Sequence, residues 1–169
     1  EQLLSHKMLA AVVASALASY PLQPQAEALN LNGGPLQTCS ESTDTTKTGV
    51  NRDGACDWDA EDTGYHQVCV TMTEEFLKNS AEKDGNDLSS VVAPGGHWCI
   101  CAWAWASAVE RDPTNYEGLS LNCDRTNGRL RSVYRTNERL QGPENSYESQ
   151  GALAAVNKIC GPPTPSPTK

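Results

Sequence analysis

Apolar positions recur with helical spacing in only a few short stretches of this chain. The first is Met8-Leu9-Ala10-Ala11-Val12-Val13-Ala14-Ser15-Ala16-Leu17-Ala18, with Lys7 before it and Ala26-Glu27-Ala28 after it. A charged start, an apolar stretch and a small-x-small end are the order of a targeting segment, so residues 1–29 read as one. A run of 11 residues covers only about 16 Å of helix, and a spanning helix needs about 20 apolar residues, so no single membrane span is expected. If the segment is retained, lipid headgroups or another protein must cover its apolar face. That makes Leu9, Val12, Val13 and Leu17 docking candidates and implies peripheral membrane contact through residues 1–29.

Thr71-Met72-Thr73-Glu74 has the spacing of a capping box, and Phe76, Leu77 and Ala81 follow before Gly85, which predicts a helix at about 72–83. In Trp98-Cys99-Ile100-Cys101-Ala102-Trp103-Ala104-Trp105-Ala106-Ser107-Ala108-Val109, the residues Trp98, Ala102, Trp105 and Val109 share one stripe, which predicts the central buried helix. Alternation of Ile100, Ala102 and Ala104 also fits a strand. After Asn127-Gly128, residues 126–169 read as an extended tail, with Arg129, Arg131, Arg135 and Arg139 at mostly helical spacings and a short helix at 151–159. Pro162-Pro163-Thr164-Pro165-Ser166-Pro167 then forms a polyproline-like terminus, and Pro162 and Pro163 join the docking candidates.

Composition narrows the picture. The 169 residues suit one domain, and 13 Lys plus Arg against 21 Asp plus Glu leave a charge of -8, which repels nucleic acid. Only 38% of residues are hydrophobic, with one Phe, 13 Gly and 10 Pro, so the core is small and the chain rich in loops. Seven cysteines suggest how so thin a core is held.

Cys39, Cys56, Cys69, Cys99, Cys101, Cys123 and Cys160 do not follow the paired spacing of a zinc ribbon. All seven are disulfide candidates, and behind a targeting segment an oxidising compartment is the simpler assumption. Three bridges and one free thiol are compatible with the count, and the connectivity stays open. The alternative is a thiol redox or metal site built from Cys99, Cys101 and His66, since His66 precedes Cys69 by three residues and His97 precedes Cys99 by two, both admissible ligand spacings. Asp57, Asp59, Glu61 and Asp62 form an acidic loop that could hold a cation, but local turn chemistry and solvated charge are the favoured account of such residues. Arg52, Asp53 and Asp87 carry the same two readings, and no nucleotide-binding or hydrolase fingerprint occurs. Trp103 belongs with the docking candidates, because an exposed Trp suits a partner surface.

Asn32-Gly33-Gly34-Pro35-Leu36, Cys39-Ser40, Arg52-Asp53-Gly54 with Cys56, Asp62-Thr63-Gly64-Tyr65-His66-Gln67-Val68-Cys69, Met72-Thr73-Glu74-Glu75-Phe76-Leu77, Gly85-Asn86-Asp87-Leu88-Ser89 and Trp98-Cys99-Ile100-Cys101-Ala102 occur in the order of one known family. As a set over roughly residues 32–123, they resemble the domain of unknown function 2237 family. The resemblance implies a small α+β domain and no particular reaction. Where the family carries a Thr-His pair this chain reads Asn122-Cys123, which implies a further bridge rather than a histidine-dependent activity. Residues 1–29 also look like the thylakoid-transfer half of a plastid presequence, with a secretory signal as the alternative.

The expectation is an α+β, loop-rich, disulfide-stapled single domain at residues 30–125 with a central Trp/Ala-rich helix, flanked by a retained apolar segment and an extended tail. Its expected role is that of a non-enzymatic accessory or linker subunit docked on a membrane protein complex, such as a photosystem core or chlorophyll-binding antenna, without cofactor or metal. The rival is the thiol redox or metal-dependent enzyme.

Overall fold

The computed structural model describes residues 28–163. Leu9, Val12, Val13 and Leu17, and with them nearly all of the targeting-like segment, lie outside the described residues.

The domain is α+β. Strand β1 (Val68–Thr71) is the centre of a three-stranded antiparallel sheet, paired on one side with β2 (His97–Ile100) and on the other with β3 (Ser120–Leu121). Between β1 and β2 runs helix α1 (Glu74–Asp84). Thr73, not Thr71, is its N-cap: the Phe76 amide donates to Thr73 Oγ1 at 3.1 Å, and Gly85 closes the helix in the left-handed region. The expected box is therefore displaced by two residues, because Thr71 is held in β1 opposite His97 and cannot turn into a helix.

The expected central helix is also corrected at its start. His97–Ile100 is strand, and helix α2 (Ala102–Arg111) begins only after Cys101, whose backbone is extended. Both periods fit these residues, and pairing with Thr71–Val68 decides between them by satisfying the backbone along a buried strand. Nearly all of α2 is buried, with Trp105 fully so.

The stretch from Thr126 onward, expected as an extended tail, is folded against this core. Helix α3 (Leu130–Thr136), the hairpin of β4 (Arg139–Gln141) and β5 (Ser146–Glu148), and helix α4 (Ser149–Cys160) follow one another, and α4 packs against both α2 and α3. Tyr134 on α3 is fully buried and donates its hydroxyl to the Ala102 carbonyl at 2.9 Å, while Ala152, Ala155 and Val156 turn the buried face of α4 inward. Arg131, expected on a basic face, is buried and donates to the Leu31 and Gly161 carbonyls. Six of the seven cysteines and most aromatics precede residue 126, which suggests a boundary there, whereas the buried Tyr134 and Tyr147 and the small residues of α4 complete the core around α2.

Three disulfides join Cys39 to Cys69, Cys56 to Cys99, and Cys123 to Cys160, leaving Cys101 as the free cysteine among the described residues. The first two form a separate, fully buried sulfur cluster. Cys69 and Cys99 face each other across β1 and β2, and their amides donate outward to Thr126 Oγ1 and Thr48 Oγ1, which brings the two side chains close. A second buried polar knot ties four elements together: Arg111 Nη1 donates to Asp84 Oδ1 at 2.7 Å and Nε to Glu117 Oε1 at 2.6 Å, and the Tyr147 hydroxyl donates to Asp84.

Candidate active site

The free thiol stands at the point where β2 becomes α2. Cys101 is the N-cap position of α2, 8% exposed, and the Ala102 amide behind it donates to the carbonyls of Gly64 and Tyr65, both at 3.1 Å. This contact clamps the loop before β1 onto the start of the helix, and that loop carries a histidine. His66 Nε2 lies 2.9 Å from Cys101 Sγ.

The other ring nitrogen is held as firmly. Asp62 Oδ1 accepts from His66 Nδ1 at 2.7 Å, and its Oδ2 accepts from the His66 amide at 2.6 Å. The same carboxylate takes the Gly64 amide at 3.2 Å, so a single buried side chain folds residues 62–66 into a tight turn and sets the ring's orientation. With the proton on Nδ1, the Nε2 lone pair faces the thiol.

The turn has two backbone features that serve this arrangement. Tyr65 adopts a left-handed φ of 51°, which costs a non-glycine residue energy and turns the chain sharply before His66. Gly64 leaves room for the ring: a methyl there would stand 2.8 Å from His66 Cε1 and 3.3 Å from Cys101 Sγ.

Burial, and after it the charge of Asp62, push the Cys101 thiol up to about 12, against the opposing hydrogen bonds from its own amide and the Trp103 side chain. The resting group is therefore a neutral thiol with a base on its sulfur. Cys101, His66 and Asp62 line a cavity of about 400 Å³, together with Trp103, Val50, Asp59 and Glu61.

Other candidate residues are placed differently. Cys99 is bonded to Cys56 and lies in the sulfur cluster, away from the thiol. The sulfurs of Cys39, Cys56 and Cys69 lie within 4.8 Å of one another, a spacing a metal would accept, but each is spent in a disulfide. His97 sits between Asp44 and Glu41. Asp53 and Asp87 accept from backbone amides two residues on, and Arg52 lies over the Trp98 ring. Trp103, expected as a docking residue, is 7% exposed and stacks on Tyr147 with centroids 6.2 Å apart; the register of α2 turns it inward. Pro162 and Pro163 are exposed at the end of the described residues. The sequence places Asp62 in the acidic loop, and its four-residue lead on His66 is the signal that points to it.

Residues 29–126, which include Asp62, His66 and Cys101, match the model of a family described as an uncharacterized protein conserved in bacteria, domain of unknown function 2237. No curated protein matches the chain.

Proposed function

The chain belongs to the domain of unknown function 2237 family, and from that starting point we propose that it is a thiol-dependent acyl-transfer enzyme with Cys101 as nucleophile, His66 as base and Asp62 as the residue that positions the base. One observation carries this: the free cysteine, the imidazole and the carboxylate form a continuous hydrogen-bonded array on the wall of a cavity.

The array suggests the following sequence. As Cys101 Sγ attacks an acyl carbon, its proton passes to His66 Nε2, and Asp62 stabilises the resulting imidazolium. That proton then goes to the leaving group as the bond to the acyl carbon breaks, leaving a thioester on Cys101. A water or another nucleophile, deprotonated by the same nitrogen, releases the acyl group and restores the thiol. The raised thiol favours this proton-coupled attack over a standing thiolate-imidazolium pair. Because the other six cysteines are paired and Cys101 is set apart from them, no resolving thiol is at hand for dithiol redox chemistry, which favours acyl transfer over the redox alternative.

Three disulfides favour an oxidising, extracytoplasmic setting. A thylakoid location, or an accessory role on a photosystem or antenna, rests on the apolar segment 1–29 and the Pro-rich terminus, most of which lie outside the described residues.

The test is a burst assay with a p-nitrophenyl ester. The expected result is about one equivalent of nitrophenolate per chain and an acyl group on Cys101 by peptide mass spectrometry. Cys101→Ala should abolish the burst, and His66→Ala and Asp62→Asn should slow acylation by roughly 10²–10⁴-fold. Absence of the adduct, or equal acylation rates in the His66 variant, would refute the assignment.

A further inference from the structure

We infer that the Cys101 cavity selects small acyl substrates bearing a cationic group, an ammonium or guanidinium, near the reacting carbonyl; this rests on the thiol reading above and specifies its substrate. Among the described residues, the charged ones lining the cavity are all acidic: Asp59, Glu61 and Asp62. Asp62 is committed to His66, so its charge is matched once the imidazole is protonated. The other two are not matched. Asp59 Oδ1 accepts only the Glu61 amide, at 2.7 Å, and the Glu61 carboxylate has no partner among the described residues. Arg52 lies over Trp98 at 5.1 Å and Arg129 over Trp58 at 4.0 Å, and neither lines the cavity.

Two carboxylates lining a cavity open to solvent put a negative potential on an entering group. An anionic substrate is repelled there, whereas a cationic one gains a partner for each free carboxylate. Val50 and Trp103 offer apolar surface for the stem that joins the cation to the carbonyl. A cavity of about 400 Å³ falls near the lower end of small-molecule sites and gives room beside the thiol for a group of roughly amino-acid to dipeptide size.

The experiment uses the full chain and methanethiosulfonate reagents, in which a thiol displaces methanesulfinate and forms a mixed disulfide. Labelling rates are compared for a trimethylammonium-ethyl reagent, a sulfonatoethyl reagent and the neutral methyl reagent, each normalised to its rate with a small thiol in solution. The expected outcome is a preference of about tenfold or more for the cationic over the anionic reagent at low salt, shrinking as salt screens the carboxylates. The Asp59→Asn, Glu61→Gln double variant should lose that preference while the neutral reagent still labels Cys101. If Cys101 reacts with none of the three reagents, the thiol reading fails. Labelling in the solution ratio, or a preference that survives in the double variant, overturns the cationic substrate and leaves the nucleophile in place.

Discussion

At the scale of single residues, the candidate site depends on how little space surrounds Gly64. Its backbone is not in the left-handed region, so replacing it tests crowding rather than strain. Gly64→Ala should push the His66 ring off the Cys101 sulfur and slow acylation by about 10²-fold, as misplacements near 1 Å do, with a far smaller effect on thermal unfolding. Unchanged burst kinetics in this variant would show that the ring contact is not used. Cys101 and His66 were both legible as a thiol pair in the sequence, but Cys99 was legible in the same way. Side-chain chemistry alone does not distinguish them, because their difference lies in which sulfur finds a second sulfur in space. In the sequence Asp62 shares its chemistry with Asp57, Asp59 and Glu61, and only the fold of the turn sets one carboxylate apart.

At the scale of elements, α4 is the clearest addition to what the sequence suggested. Its helical pattern was visible at residues 151–159, yet its destination was not, since a short Ala-rich helix followed by prolines serves equally as a tail. The bridge between Cys123 and Cys160 joins the end of α4 to the loop after β3, closing a span of 37 residues. The Cys123→Ser, Cys160→Ser double variant should lose about 2–4 kcal/mol of stability, read from denaturant unfolding. Its burst with an activated ester should persist, because Asp62, His66 and Cys101 all precede the loop that this bridge closes. A loss of the burst in a chain that still unfolds cooperatively would mean that α4 shapes the site directly. The start of α2 carries the same lesson: Trp98 to Val109 satisfies two periods at once, and the partner strand β1 chooses between them.

At the scale of the whole molecule, several buried groups hold protons that water would take from them. Burial, then the charge of Asp62, raises the Cys101 thiol from about 9 to about 12, and burial, then Asp84, raises the Tyr147 hydroxyl from about 10 to about 12. Burial likewise raises Tyr134 well above its ordinary value. Between the unfolded and folded values the native chain binds more protons than the unfolded chain, so stability falls as pH rises. Melting temperature should therefore be flat with respect to these groups below about pH 9 and decline from there toward pH 12. Cys101→Ala and Tyr147→Phe should each make the decline shallower in circular dichroism melts, and identical slopes in the variants would contradict the assignment.

What the sequence by itself determined is local or additive: the acidic charge that repels nucleic acid, the thin core that needs staples, the presence and type of most helices, and the family's ordered motifs. Such properties follow from composition and from neighbours a few positions apart, which are read directly along the chain. Tertiary structure alone decided which six sulfurs pair, that Trp98 is strand and Trp103 core, that α4 closes the domain, and that Asp62, His66 and Cys101 form one array. Those outcomes depend on which distant segments pack together and satisfy each other's backbone and apolar surface, and no local pattern encodes that choice.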